Sequence, residues 1–417
     1  MRKFFRTLFF LQTFVLICAH LPALTLCEAL AIAESHSLLK IADSEIRIVE
    51  LEEKYSSVRG PSELSLTTEK LGGPTGFDGT EIGLEYAVPL KNGKFNRSVA
   101  NLAKMTIEIE KIKKSNLRKF ILNETAKAFN RALIMEEFVK KATENIENSK
   151  KLLEVSEIMA ESGSISESEV YRAELVLKQA EQDHSAAESE LEAALNELAA
   201  AMGTDQTIKD SLKGETGSEL DLPDTKTLTD ILLKHNSEIV ALNAELTKIT
   251  GRRALVSASA KPSWKLVGGA LNERESGDTT AIFGISGEFS HRRDNKKEME
   301  ILNEEKKRIT LLLNNVKREA LLKLEGLISQ FERLKKQTAG LKAEILPGAE
   351  KLYNLSIEGY KLGKIGQAEV LQVQRELLDM RKAYWDKTAE LWAAATAIET
   401  LTGHGFTYVY ECGTEEK

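Results

Sequence analysis

The chain has 417 residues, a formal net charge of −7 and 29% charged residues, a balance that argues against nucleic acid as a partner. Its 7 Pro, 6% aromatics and 3 Cys suit long helices better than a β-rich globule or a disulfide framework.

Residues 1–23 read as a secretory signal peptide. Arg2, Lys3 and Arg6 give the positive start, Thr7 to Ala19 is apolar apart from Gln12 and Thr13, and cleavage is placed after Ala23. This run is short for a membrane span, and no later stretch reaches the roughly 18 apolar residues that a spanning helix needs. Neither Cys18 nor Cys27 follows a small residue, so no lipid anchor is expected. Losing the three cations takes the net charge from −7 to −10. Cys27 and Cys412 remain, and such sparse cysteine use predicts that they stay unpaired rather than close one long-range disulfide.

From Leu24 to about Val58 the pattern predicts one helix, with Leu26, Ala29, Leu30, Ala33, Leu38, Ile41 and Ile48 on a broad face, stopped by Arg59-Gly60-Pro61. A β-hairpin is predicted over 61–90. Leu64, Leu66 and Thr68 alternate with polar residues, a glycine-rich loop follows, and Ile82, Leu84, Tyr86 and Val88 alternate again. From Asn96 to Ser162 no Pro or Gly interrupts the apolar stripe, so about 67 residues make a helix of roughly 100 Å. Ser162-Gly163-Ser164-Ile165-Ser166 makes a turn, with Ser166 as N-cap and Glu169 completing a capping box. The return helix ends at Gly203, and 204–224 is a polar connector.

The programme then repeats over 225–403. A helix from Leu228 to Arg253 leads to a second hairpin over 262–290, in which Trp264 and Leu266 share a face and Ala281, Phe283, Ile285 and Phe289 alternate. A second long helix begins near Asp294, with Pro347 expected to bend it or mark a joint. Tyr360 to Gly366 turns the chain, the last helix ends at Gly403, and 404–417 is a tail without period.

Lys151–Gly203 and Lys351–Gly403 align without a gap, so 24–203 and 225–403 read as one unit built twice. In the first copy Val170, Ala173, Leu177, Ala180, His184, Ala187, Leu191, Ala194, Leu198 and Ala201 keep heptad spacing, and Val370, Val373, Leu377, Met380, Tyr384, Lys387, Leu391, Ala394, Ile398 and Leu401 keep it in the second. The fold class is therefore mainly α: duplicated long antiparallel coiled-coil helices with two β-hairpins. Two hairpins leave open edges that lipid does not tolerate, yet their strands have the length of transmembrane strands. Three chains giving four strands each would close a twelve-stranded barrel above a helical tube.

This order of elements, carried by Leu24-Thr25-Leu26-Cys27-Glu28-Ala29-Leu30, by Gly93-Lys94 with Arg97, and by Leu346-Pro347 through Gly359-Tyr360-Lys361-Leu362-Gly363-Lys364-Ile365 to Gln374-Arg375 and Leu401-Thr402-Gly403, resembles the TolC-like outer-membrane factor family. The likeness runs over nearly the whole mature chain. Within the family it is similar to the CzcC-like branch, the outer-membrane component of heavy-metal efflux systems of the resistance-nodulation-division type. The resemblance implies a homotrimer in outer-membrane lipid, with strands as pore and helices as a periplasmic tunnel. It also implies a periplasmic membrane-fusion adaptor that docks on the turns, and an inner-membrane pump of that type. Gly163, Ile165, Gly363 and Ile365 would then be adaptor-docking tips, and Glu369 a carboxylate ring at the channel constriction. Gln372 stands where family members often carry Asp, so a second acidic ring is missing.

No enzyme is expected. His20, His36, His184, His235, His291 and His404 lack metal-ligand spacing, and Gly72-Gly73 and Gly268-Gly269 lack a phosphate-loop context, so no metal and no cofactor are expected. The alternative function is a periplasmic coiled-coil adaptor or scaffold without a pore. It would want one hairpin flanked by lipoyl-like β segments, and the chain has two hairpins and no such segments.

Overall fold

The computed structural model of the protein describes residues 23–56, 62–69, 80–90, 93–208, 211–214, 220–274, 276–288 and 292–405. The signal peptide before Ala23, the Arg59-Gly60-Pro61 stop, the Gly72-Gly73 loop, His20, His291, Phe289, Cys412 and the tail beyond 405 lie outside them. In chain order the elements are β1 (Leu24–Thr25), α1 (Leu26–Ala33), α2 (Ser37–Ser56), β2 (Glu63–Glu69), β3 (Glu81–Pro89), α3 (Gly93–Glu161), α4 (Glu167–Met202), β4 (Leu212–Lys213), α5 (Thr225–His235), α6 (Ser237–Ser259), β5 (Ser263–Glu273), β6 (Thr279–Glu288), α7 (Arg292–Gly340), a π-helical turn (Leu341–Ile345), α8 (Leu346–Lys361) and α9 (Gln367–Thr402). The fold is mainly helical with two hairpins, as read from the sequence.

Three local readings are corrected. Residues 24–58 do not form one helix. Thr25 is extended, its hydroxyl accepts from the Glu28 N–H, and the Glu28 carboxylate accepts from the Thr25 N–H at 2.9 Å, so a capping box starts α1 only at Leu26. Leu24 pairs in parallel with Leu212 of the connector, which therefore holds a strand. Ser35 and His36 then break the helix, and the His36 Nδ1 accepts from the Leu38 N–H at 3.1 Å. The equivalent break in the second copy is Asn236, whose side-chain amide donates to the Leu401 carbonyl at 2.7 Å. Cys27, read as unpaired, is disulfide-bonded, while Cys18 and Cys412 lie outside the described residues. One pair of thiols brought within bonding reach is enough for a crosslink, however few the cysteines.

Two compact units emerge, and both halves of the sequence contribute to each. The first gathers the described parts of Met1–Lys40, Asn116–Asn236 and Glu319–Lys417. Leu26, Ala29, Leu30 and Ala33 of α1 fill a groove between Phe129 and Ala132 of α3 and Ala194, Leu198 and Met202 of α4. Leu228 and Leu232 of α5 do the same against Leu324, Phe331 and Leu334 of α7 and Leu391, Ala394 and Ile398 of α9. Each large aliphatic side chain withdrawn from water this way contributes about 1.5–3 kcal/mol. Gly203 and Gly403 end α4 and α9 at φ +68° and +70°. A Cβ at Gly203 would run into the His36 ring, and one at Gly403 into the His235 carbonyl, so the same joint is built twice.

The proline joint takes a definite form. Pro347 has no N–H to offer the carbonyl four residues back, and the turn before it widens so that the Leu346 N–H bonds the Leu341 carbonyl, five residues away.

The second unit gathers the described parts of Ile41–Ser115 and Ser237–Arg318. Its helical core is Ile239, Leu242 and Ile249 of α6 against Ile309, Leu313 and Val316 of α7. The two hairpins join in one antiparallel four-stranded sheet of order β2-β3-β5-β6, whose central ladder pairs Glu81 with Glu273 and Pro89 with Lys265. β2 and β6 are its edges.

Candidate functional site

The sheet has two unlike faces. Register and pleat put Leu64, Leu66, Ile82, Leu84, Tyr86, Leu266, Phe283 and Ile285 on one side, all exposed, Phe283 by 86%. Glu63, Glu69, Glu81, Glu85, Glu273 and Glu288 share the other side with one cation, Lys265, which bonds Glu63 at 2.7 Å. A sheet folded on a water-soluble core would hide its apolar side. Here that side is bare, while the acidic side keeps small Gly83 and Ala87 buried. No helix among the described residues is long and apolar enough to cross a membrane.

The two predicted tips, both in the first unit, share one backbone design. Gly163 (φ +73°) and Gly363 (φ +65°) close left-handed helix ends. The Gly163 N–H bonds the Ala160 carbonyl and the Ser164 N–H the Met159 carbonyl, both at 2.8 Å; the Gly363 N–H bonds the Tyr360 carbonyl and the Lys364 N–H the Gly359 carbonyl, both at 2.9 Å. Leu152, Val155 and Met159 of α3 pack with Tyr353 and Tyr360 of α8 and Val370 and Leu377 of α9, which draws the two turns into one cluster.

Ile165 and Ile365 are half-buried, and Ile365 packs on Gly359 within that cluster. The bare apolar side chain at the second turn is Leu362, 68% exposed, which the sequence reading passed over. Its signal was available: position 362 is Leu where the first copy has Ser162.

Glu369 stands exposed in the first turn of α9. The capping box expected at Ser166 is not made, because the Ser166 hydroxyl turns to the Ser168 hydroxyl at 2.7 Å. At α9 the N-cap is Gly366, which has no side chain, so Glu369 has no capping-box partner there.

Sequence reasoning missed a polar ladder in the α9 interior. Gln367, Gln374 and Arg381 are seven residues apart. The Gln367 amide donates to the Glu169 carbonyl at 2.7 Å and to the Ser156 hydroxyl at 3.3 Å, and Ser156 meets the Tyr360 hydroxyl at 3.2 Å. Gln374 donates to the Asn145 side-chain carbonyl at 3.0 Å and to Ser149 at 3.1 Å. Arg381 pairs with Glu350 at 2.8 Å and with Glu144 at 3.6 Å. Burial raises the Tyr360 phenol pKa, opposed by the Ser156 hydrogen bond, and raises that of Tyr353, opposed by the Arg381 charge. His184 lies on the α4 seam and bonds Thr143 at 3.1 Å. Among the described residues no three His, Cys, Asp or Glu side chains gather as a metal site.

Comparison with known proteins gives these features a context. The family model of outer membrane efflux proteins matches residues 63–204, from β2 to the end of α4. The cobalt-zinc-cadmium resistance protein CzcC of Cupriavidus metallidurans is 25% identical over 323 residues, which are 76% of this chain and 75% of that protein. Among solved structures, CusC superposes with TM-score 0.74 at 15% identity over 91% of this chain and 92% of that one. The outer membrane channel CmeC of Campylobacter jejuni gives 0.72 at 14% identity, over 93% and 89%. VceC of Vibrio cholerae gives 0.71 at 16%, over 91% and 96%. The fold is that of these outer-membrane channels, and the resemblance read from the sequence holds.

Proposed function

From a chain that matches the outer membrane efflux protein family over residues 63–204 and has the fold of outer-membrane channels, we infer an outer-membrane efflux channel, the exit duct of a tripartite system. The observation that carries this reading is the sheet: bare and apolar on one side, lined by six Glu and one Lys on the other, with β2 and β6 unpaired. Three copies would pair these edges and close a twelve-stranded barrel whose apolar side meets lipid and whose acidic side lines the pore. The repeats 24–203 and 225–403 each give every protomer one hairpin and one long helix pair, the helices forming the periplasmic tunnel.

An acidic pore suits cations, and the likeness to a cobalt-zinc-cadmium resistance protein points to heavy-metal cations as cargo. A membrane-fusion adaptor would dock on the turns at Gly163, Ile165, Gly363 and Ile365, with an inner-membrane pump of the resistance-nodulation-division type driving transport. Glu369, exposed and without a capping role, would stand as one of three like charges around the tunnel axis.

Purified protein in planar bilayers tests the reading. A crosslinkable trimer with cation-selective conductance is expected, and Glu369→Gln should lower the selectivity and raise the basal conductance. A monomer that binds adaptor but never conducts would replace the channel with the scaffold reading.

A further inference from the structure

At the helix-side end of the sheet, an open cavity of about 750 Å³ lies where β3 leaves for α3 and where α6 hands over to β5. Its polar walls are Lys94, Arg97 and Lys261. None of the three forms an ion pair with a carboxylate among the described residues. Lys94 lowers the Lys261 pKa below the usual lysine value, and no acid opposes it. Among the described residues these like charges have no carboxylate counter-ion.

The remaining wall identifies the anion. Trp264 and Leu90 also line the cavity, 46% and 48% exposed, and the Leu90 N–H bonds the Trp264 carbonyl at 2.7 Å. By register Trp264 continues the apolar face through Leu266. The cations therefore sit just past the end of the bare apolar band, with an aromatic ring at the boundary, the level at which lipid headgroups meet a membrane strand.

We propose that Lys94, Arg97 and Lys261 form a phosphate-binding site for the headgroup of an anionic phospholipid in the inner leaflet of the outer membrane, with Trp264 and Leu90 against its glycerol and acyl chains. The proposal rests on the channel reading above, which supplies the membrane. It gives Gly93-Lys94 and Arg97, singled out in the sequence, a task that the pore itself does not use.

The test uses full-length mature protein, delipidated in detergent and titrated with phosphatidylglycerol or phosphatidylcholine, with bound lipid counted by native mass spectrometry. Wild type should retain phosphatidylglycerol about tenfold more tightly. The Lys94→Gln/Arg97→Gln/Lys261→Gln variant should lose that preference, Lys94→Arg should keep it, and both should still conduct in bilayers. Millimolar inorganic phosphate that displaces the lipid as well as excess phosphatidylglycerol does would overturn the lipid assignment. Equal retention of both lipids by a wild-type protein that conducts would sink this site alone, whereas a wild type that neither inserts nor conducts would remove the channel reading and the site together.

Discussion

The two copies of the helix-turn-helix unit close with the same Schellman hydrogen bonds, yet their return helices live in different surroundings. In α4 the middle of the seam, at His184, Ala187 and Leu191, is only half-buried in the chain. In α9 two of the three equivalent positions, Tyr384 and Leu391, are buried while Lys387 is half-buried, and Gln367, Gln374 and Arg381 reach into α3 and α8. Two hundred residues upstream those three positions are Glu167, Glu174 and Glu181. Duplication thus preserved the backbone while one copy took up the interior of the chain and the other was left a face that suits contact with a further copy.

Four measurements would break or sharpen that contrast. The largest effect is expected at the tips. Leu362→Asp, or Gly363→Asp with Ile365→Asp, should abolish efflux in cells while trimers persist, whereas Ser162→Asp in the first copy should leave most of it; equal loss would make the two turns interchangeable.

The glycine series comes next, read by thermal unfolding. Gly403→Ala should cost about 2–4 kcal/mol, since the new methyl group meets the His235 backbone as well as a positive φ. Gly203→Ala should cost less, because the opposing atoms belong to the movable His36 ring. At Gly163 and Gly363 the space is open, so Ala should cost only about 1 kcal/mol.

Gln374→Ala strands the buried Asn145 and Ser149 and should cost about 1–3 kcal/mol, against less than about 0.5 kcal/mol for the exposed Glu174→Ala. A similar cost at both positions would mean that the ladder adds nothing. Smallest of all, Pro347→Ala restores an N–H and should let the Leu341–Ile345 turn relax to α-helix, seen as slower amide exchange there with a stability change under about 1 kcal/mol.

Much of this is legible in the sequence. Period and glycine placement located both hairpins, both turns and the Pro347 joint, because those signals are local. The breaks at His36 and Asn236 were not, since each is set by contact with a distant partner: Gly203 behind the His36 ring, the Leu401 carbonyl before Asn236. The Gln ladder escaped because polar residues at buried heptad positions read as surface until their partners on α3 are known. Leu362 is overshadowed in the sequence by Ile365, which repeats Ile165 two hundred residues on but whose side chain the turn folds inward.

The central ladder of the sheet has a consequence for biogenesis. β3 and β5 come from different repeats, so residues such as Glu81 and Glu273 must meet across more than the length of a whole repeat. Closing so long a loop is slow compared with zipping either hairpin. A chain emerging from an export channel would have its first hairpin ready long before its second exists. During that interval β2, β3 and their bare leucines are an aggregation hazard, and after it β2 and β6 still await neighbours. The nascent protein should therefore depend on a periplasmic holding chaperone for its first hairpin, and shortening the delay, by circular permutation that places the two hairpins in succession, should reduce that dependence.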